Sequence, residues 1–103
     1  MLMEIDGKRL DTSTMPMVGY RDNDNVATRD TWQVENVYLI EGGAEGEPPA
    51  YLLVGAGGAL SDYGHDGHGG AAARILDVEG MEEWISSAQD FINRSLRRAM
   101  GGV

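Results

Sequence analysis

Twenty residues near the end of the chain, Met81 to Met100, carry the strongest periodic signal in the sequence. Met81, Trp84, Ile85, Ala88, Phe91, Ile92, Leu96, Ala99 and Met100 recur at three-and-four spacing, which gathers apolar side chains on one helical face. Glu82 and Glu83 fall in the first turn and Arg94, Arg97 and Arg98 near the end, the order that complements a helix macrodipole. Asp90 and Arg94 stand one turn apart and can pair. Gly101 and Gly102 supply a stop signal. One helix over about 80–100 is predicted, a rod of about 30 Å that needs an apolar surface of similar length beneath it.

The rest of the chain reads as short strands. Asp6-Gly7 lies between two short extended segments, the strongest local signal for a two-residue hairpin. Pro16 cannot donate to a ladder, so Met17–Tyr20 is at most an edge strand. Thr31–Glu41 is the best strand candidate: Trp32 and Val34 alternate with Gln33 and Glu35 before a continuous run from Val37 to Ile40, with a phase slip near Asn36. Glu41–Pro49 is an acidic loop, Ala50–Gly55 a second strand, and Ala72–Val78 a last strand that leads into the helix, with Asp77 available as its cap. The chain therefore predicts one α+β domain spanning residues 1–103. Its mostly antiparallel sheet has about four strands, and one long C-terminal helix packs on one face. The expected core draws on Val34, Val37, Leu39, Leu52, Val54, Ile75, Trp84, Ile85, Ala88, Phe91, Ile92 and Leu96. The second sheet face is then left for solvent, for the N-terminal segment or for another copy, so a homodimer is expected to be possible.

A net charge of −9 over 103 residues limits the partners such a domain can take. No Lys or Arg occurs between Arg29 and Arg74, whereas Asp30, Glu35, Glu41, Glu45, Glu47, Asp62 and Asp66 all fall inside that interval. A uniformly acidic middle repels nucleic-acid backbones and anionic membranes and attracts basic surfaces. The same bias also occurs as a general background in proteins of salt-adapted organisms. No Cys is present, which rules out a disulfide framework, a thiolate metal site and a cysteine nucleophile. The acidic, turn-containing start does not resemble a signal or transit peptide, and no apolar run is long enough to cross a bilayer, so a soluble cytoplasmic protein is expected.

Several motifs fail on their own chemistry. Asp22-Asn23-Asp24-Asn25 invites comparison with a calcium loop, but Ala27 stands where a Gly is required and Gln33 where a bidentate Glu is required, leaving an ordinary solvated turn. Gly55-Ala56-Gly57 lacks the third glycine of a dinucleotide fingerprint, because Leu60 stands there. Asn93-Arg94-Ser95 fits a glycosylation acceptor but lies within the predicted helix. Trp32 and Trp84 read as packing residues. Leu60–Gly70 holds both histidines, and His65 and His68, with Asp62 and Asp66, are the candidate metal ligands. Ser61, His65 and Asp66 have the residue types of a nucleophilic triad without an oxyanion-hole motif. Read as a flexible glycine-rich loop, that stretch lacks the fixed geometry either site needs.

The expectation is thus a non-catalytic acidic module with no cofactor and no direct nucleic-acid or membrane contact. It would present Glu35, Glu41, Glu45, Glu47, Asp62 and Asp66 to a basic protein partner. By occupying Lys and Arg that otherwise contact phosphates, it would inhibit or regulate a nucleic-acid-handling protein. The alternatives are a metal-binding protein using His65 and His68, or a self-assembling structural subunit.

Overall fold

A computed structural model describes residues 1–24, 26–41 and 46–100. Strands β1 (Leu2–Ile5) and β2 (Lys8–Asp11) form a two-stranded ribbon, and a 3₁₀ turn (Thr12–Thr14) leads into β3 (Met17–Asp22). Strands β4 (Gln33–Ile40), β5 (Ala50–Gly57) and β6 (Gly70–Leu76) follow, then helices α1 (Val78–Ser86) and α2 (Ala88–Ala99). β3 to β6 make one antiparallel sheet in chain order, with β3 at one edge.

The local signals explain much of this. Asp6 and Gly7 both adopt positive φ (51° and 78°), the conformation of a type I′ turn, whose twist matches the strands it joins. Pro16 donates nothing, yet its carbonyl accepts from Leu39 N–H at 2.9 Å, which aligns β3 with β4. Asp77 caps α1, its Oδ1 accepting from Gly80 N–H at 2.7 Å.

The α+β class and the four-stranded antiparallel sheet are as expected; the single long helix is not. The chain breaks at Ser87 (φ −88°, ψ 6°) into two helices. In a continuous helix the Trp84 carbonyl would receive the Ala88 N–H. Here it accepts from Arg21 Nη1 and from Ser87 Oγ, both at 2.9 Å, and side-chain donors inserted into the helical ladder interrupt it.

The parity of β4 also differs from expectation. Gln33 and Glu35 are the buried residues (2% and 6% exposed), while Val34 lies on the opposite side, away from the helices. The strand register carries this through the sheet. The helix-covered face holds Gly19, Arg21, Gln33, Glu35, Val37 and Leu53, and the open face holds Val34, Val54 and Ile75 from the expected core. The apolar cluster beneath the helices is small: Val37, Leu53, Leu76 and Met81, with Tyr51 and Trp84 packed against it. Helix residues follow suit. Met81, Phe91 and Ser95 are buried, whereas Ile85 (59%) and Leu96 (43%) are exposed and leave the expected core. The helical layer is rotated because the surface beneath it is largely polar.

That rotation predicts opposite outcomes for two similar substitutions. Phe91→Ala should lower stability by about 3 kcal/mol or more, because a buried aromatic leaves a cavity. Leu96→Ala should stay within about 0.5 kcal/mol, as at other exposed sites. Urea denaturation of both variants checks this.

Candidate functional site

Polar side chains on the covered sheet face build the most elaborate constellation in the chain. Glu35 lies mid-β4, directly opposite Arg21 on β3. Its Oε1 accepts from Arg21 Nε at 2.6 Å and from Trp84 Nε1 at 3.0 Å, and its Oε2 accepts from the Tyr63 hydroxyl. Arg21 is held in turn by the Trp84 carbonyl and by Ser87 Oγ (3.1 Å), and its guanidinium carbon lies 4.5 Å from the ring centroids of both Trp84 and Phe91. One carboxylate therefore joins the sheet, the segment after β5 and the helices.

Glycine makes room for this arrangement. Gly55 pairs with Glu35 across β4 and β5, and a Cβ there would fall inside the Tyr63 phenol. A Cβ at Gly19 would stand 3.0 Å from the Trp84 ring. Both aromatic rings thus lie on bare backbone. Burial, followed by the hydrogen bond to Glu35 and the negative charge there, pushes the Tyr63 hydroxyl far above the usual tyrosine range, with Arg74 offsetting this in part.

A second cluster adjoins the first. Asn23 Nδ2 donates to the Thr31 carbonyl (2.8 Å) and to Ser95 Oγ (2.9 Å), and its Oδ1 accepts from Gln33 N–H at 2.6 Å. The Gln33 side chain accepts from Asp62 N–H (2.8 Å) and donates to Asp62 Oδ2 (3.1 Å). Asp62 also accepts from Arg94 (2.9 Å) and from Arg98. Partial burial raises the Asp62 carboxyl, but the donors Arg98, Gln33 and Arg94 together outweigh it and hold the group below the usual carboxylate range. Arg94 therefore serves Asp62 and not the expected Asp90. Asn23, expected in a solvated turn, is fully buried; Asn25 of that turn lies outside the described residues.

The six carboxylates expected to meet a partner do not share one face. Glu35 is buried within the fold, and Asp62, at the surface, is already taken up by Arg94 and Arg98. Glu41 and Glu47 are exposed at the β4–β5 connection, and Asp66 is exposed beyond the opposite end of β5. Glu45 lies outside the described residues.

The histidine stretch is more regular than its glycine content suggests. His65 and His68 face each other as an antiparallel bridge, with backbone hydrogen bonds of 2.8 and 2.9 Å. Asp66 (φ 51°) and Gly67 (φ 79°) repeat the Asp-Gly turn of residues 6 and 7. The His65 side chain is 86% exposed and lies 3.0 Å from the Asp66 carboxylate. Among the described residues, no three His, Asp or Glu side chains converge as metal ligands. Ser61 Oγ donates to the Gly58 carbonyl at 2.8 Å and accepts from Tyr63 N–H, so Ser61 and His65 do not form a nucleophile–base pair.

Between the two polar clusters runs an open cleft of about 410 Å³, with Arg74, Glu83 and Arg94 among its lining residues. Glu35 at its wall already accepts from three donors, and Tyr63 directs its proton to that carboxylate, so the cleft's inner groups act as a structural tie. No family model, curated protein or solved structure matches this chain. Among the described residues, no helix is long and apolar enough to cross a membrane.

The lowered carboxyl of Asp62 sets a pH dependence. Its contribution to stability is present above the unfolded value of about 3.9 and is lost as pH falls through the lower folded value. At pH 7 the wild type should melt above Asp62→Asn by at most about 5 °C, since solvent screening at this exposed ion pair holds its contribution to about 1 kcal/mol or less. The gap should close in acid below about pH 4. Differential scanning calorimetry over that range checks it, and a gap that does not change with pH would contradict the assignment.

Proposed function

We propose that this chain is a non-catalytic module that binds a basic protein surface, chiefly through the acidic side chains of its helical layer. The observation that carries this reading is one notch at the junction of α1 and α2. Glu79, Glu82, Glu83 and Asp90 line it together with Ser86 and Ser87. All four carboxylates are exposed, and among the described residues none forms an ion pair. Exposed carboxylates without internal partners are free to meet cations, unlike Glu35 and Asp62. The overall charge of −9 draws a basic partner in and favours fast, salt-sensitive association.

The partner class is a protein whose Lys and Arg otherwise engage phosphates, and the consequence of binding is inhibition or regulation by competition. Glu41, Glu47 and Asp66 widen the field around the molecule without belonging to the notch. The reading is tested by recovering partners from native extract on the immobilised chain at low salt and eluting with a salt gradient. A basic protein should be released at moderate salt. The variant Glu79→Gln, Glu82→Gln, Glu83→Gln, Asp90→Asn should weaken its retention at least about tenfold, the loss expected for several favourable charge contacts. Retention unaffected by salt, or equal for the variant and the wild type, would refute the reading.

A further inference from the structure

The turn between the two histidines of the chain dictates how they stand to each other. Asp66 and Gly67, at φ 51° and 79°, form a two-residue hairpin, and the flanking histidines exchange both backbone hydrogen bonds. His65 N–H donates to the His68 carbonyl at 2.8 Å, and His68 N–H to the His65 carbonyl at 2.9 Å. Residues directly opposite each other in an antiparallel pair project their side chains from the same face, with Cβ atoms about 4.5–5.5 Å apart. The hairpin therefore holds two imidazoles side by side, and both residues are exposed.

The hairpin is also fixed to the body of the protein. A Cβ on Gly64 would fall on the Ala59 carbonyl oxygen, and one on Gly69 would stand 2.7 Å from that of Gly57. Both arms thus lie against the end of β5 and the residues after it with no side chain in between. Gly64 N–H donates to the Ser61 carbonyl at 3.1 Å, and the second arm runs directly into β6 at Gly70. A loop held at both arms has already given up most of the conformational freedom that ligand binding would otherwise cost.

We propose that His65 and His68 form a two-imidazole site for one borderline divalent transition-metal ion, Cu²⁺, Ni²⁺ or Zn²⁺. Imidazole nitrogen suits these ions, whereas Ca²⁺ and Mg²⁺ take oxygen ligands. Metal–nitrogen bonds of about 2.0–2.1 Å set two neighbouring ligand nitrogens about 3 Å apart. Exposed rings on Cβ atoms about 5 Å apart reach that separation by side-chain rotation. The Asp66 carboxylate lies 3.0 Å from His65 Nε2, and an acidic group beside a ligating histidine orients the ring and raises its basicity. The net charge of −9 concentrates cations around the molecule. Two protein ligands leave the remaining coordination positions to water, so the ion is held at the surface and exchanges freely.

Isothermal titration calorimetry of the full chain with CuCl₂, NiCl₂ and ZnCl₂, over free metal from about 1 μM to about 1 mM, tests the proposal. One ion should bind per chain, Cu²⁺ most tightly, and excess Ca²⁺ or Mg²⁺ should not displace it. His65→Ala and His68→Ala, both at exposed positions where folding is little affected, should each weaken binding at least about tenfold. Two imidazoles acting independently would instead leave each variant half the capacity at unchanged affinity, and that result overturns the proposal. The variant Glu79→Gln, Glu82→Gln, Glu83→Gln, Asp90→Asn should titrate as the wild type does. A loss of binding there would assign the ion to the acidic helical layer and overturn the histidine site while leaving the partner reading untouched. No binding up to the highest metal concentration, or one ion shared between two chains in sedimentation velocity, likewise overturns it.

Discussion

A carboxylate in the middle of the sheet governs how the rest of this chain is placed. Glu35 is 6% exposed, and a buried charge is costly unless it is paired and hydrogen-bonded. Arg21 neutralises it from the adjacent strand, and Trp84 and Tyr63 satisfy it from the helix and from the segment after β5. Each donor has its own requirement. Arg21 needs acceptors for its remaining N–H groups and takes the Trp84 carbonyl, which ends α1 at Ser86. Tyr63 needs a flat approach to the sheet and finds it over Gly55. The helix break and the glycine-bearing sheet are thus both consequences of supplying one buried acid with donors.

The same choice organises the outer surface. With polar groups facing the helices, strand alternation sends Val34, Leu52, Val54 and Ile75 to the other side, leaving Val37, Leu53 and Leu76 beneath the helices. The aliphatic cluster under the helices is then limited to a few residues, and the opposite side of the sheet carries Val34, Leu52, Val54 and Ile75, of which Leu52 is fully buried. Acidic residues divide in a similar way: Glu35 and Asp62 hold the fold together, and those on α1 and at the start of α2 stay available.

Parts of this arrangement are plain in the sequence. Asp6-Gly7 announces its hairpin, Pro16 an edge, Asp77 a cap, and the runs around Val37 and Leu53 two central strands. Asp66-Gly67 between two histidines carries the same turn signal as residues 6 and 7, and high glycine content obscured it. The parity of β4 was not legible, because Trp32 and Val34 are the better hydrophobes and only long-range partners make Gln33 and Glu35 the buried pair. Likewise, nothing within Met81–Met100 marks Ser87 as a break. The cause is a guanidinium 66 residues earlier in the chain. Asn23 was hidden for the same reason, since its partner Ser95 lies on the last helix. Periodicity reports which residues share a face, whereas the identity of the covered face depends on contacts between distant segments.

The account rests on Glu35 and Arg21 acting as one unit, and a double-mutant cycle measures that directly. Arg21→Met, Glu35→Gln and the pair together would be unfolded in urea, with stabilities compared to wild type. Each single change leaves a buried polar group without its partner, so the double variant should be more stable than the sum of the singles implies, by about 1.5 kcal/mol or more. Losses that simply add, to within about 0.5 kcal/mol, would contradict the central role given to this pair.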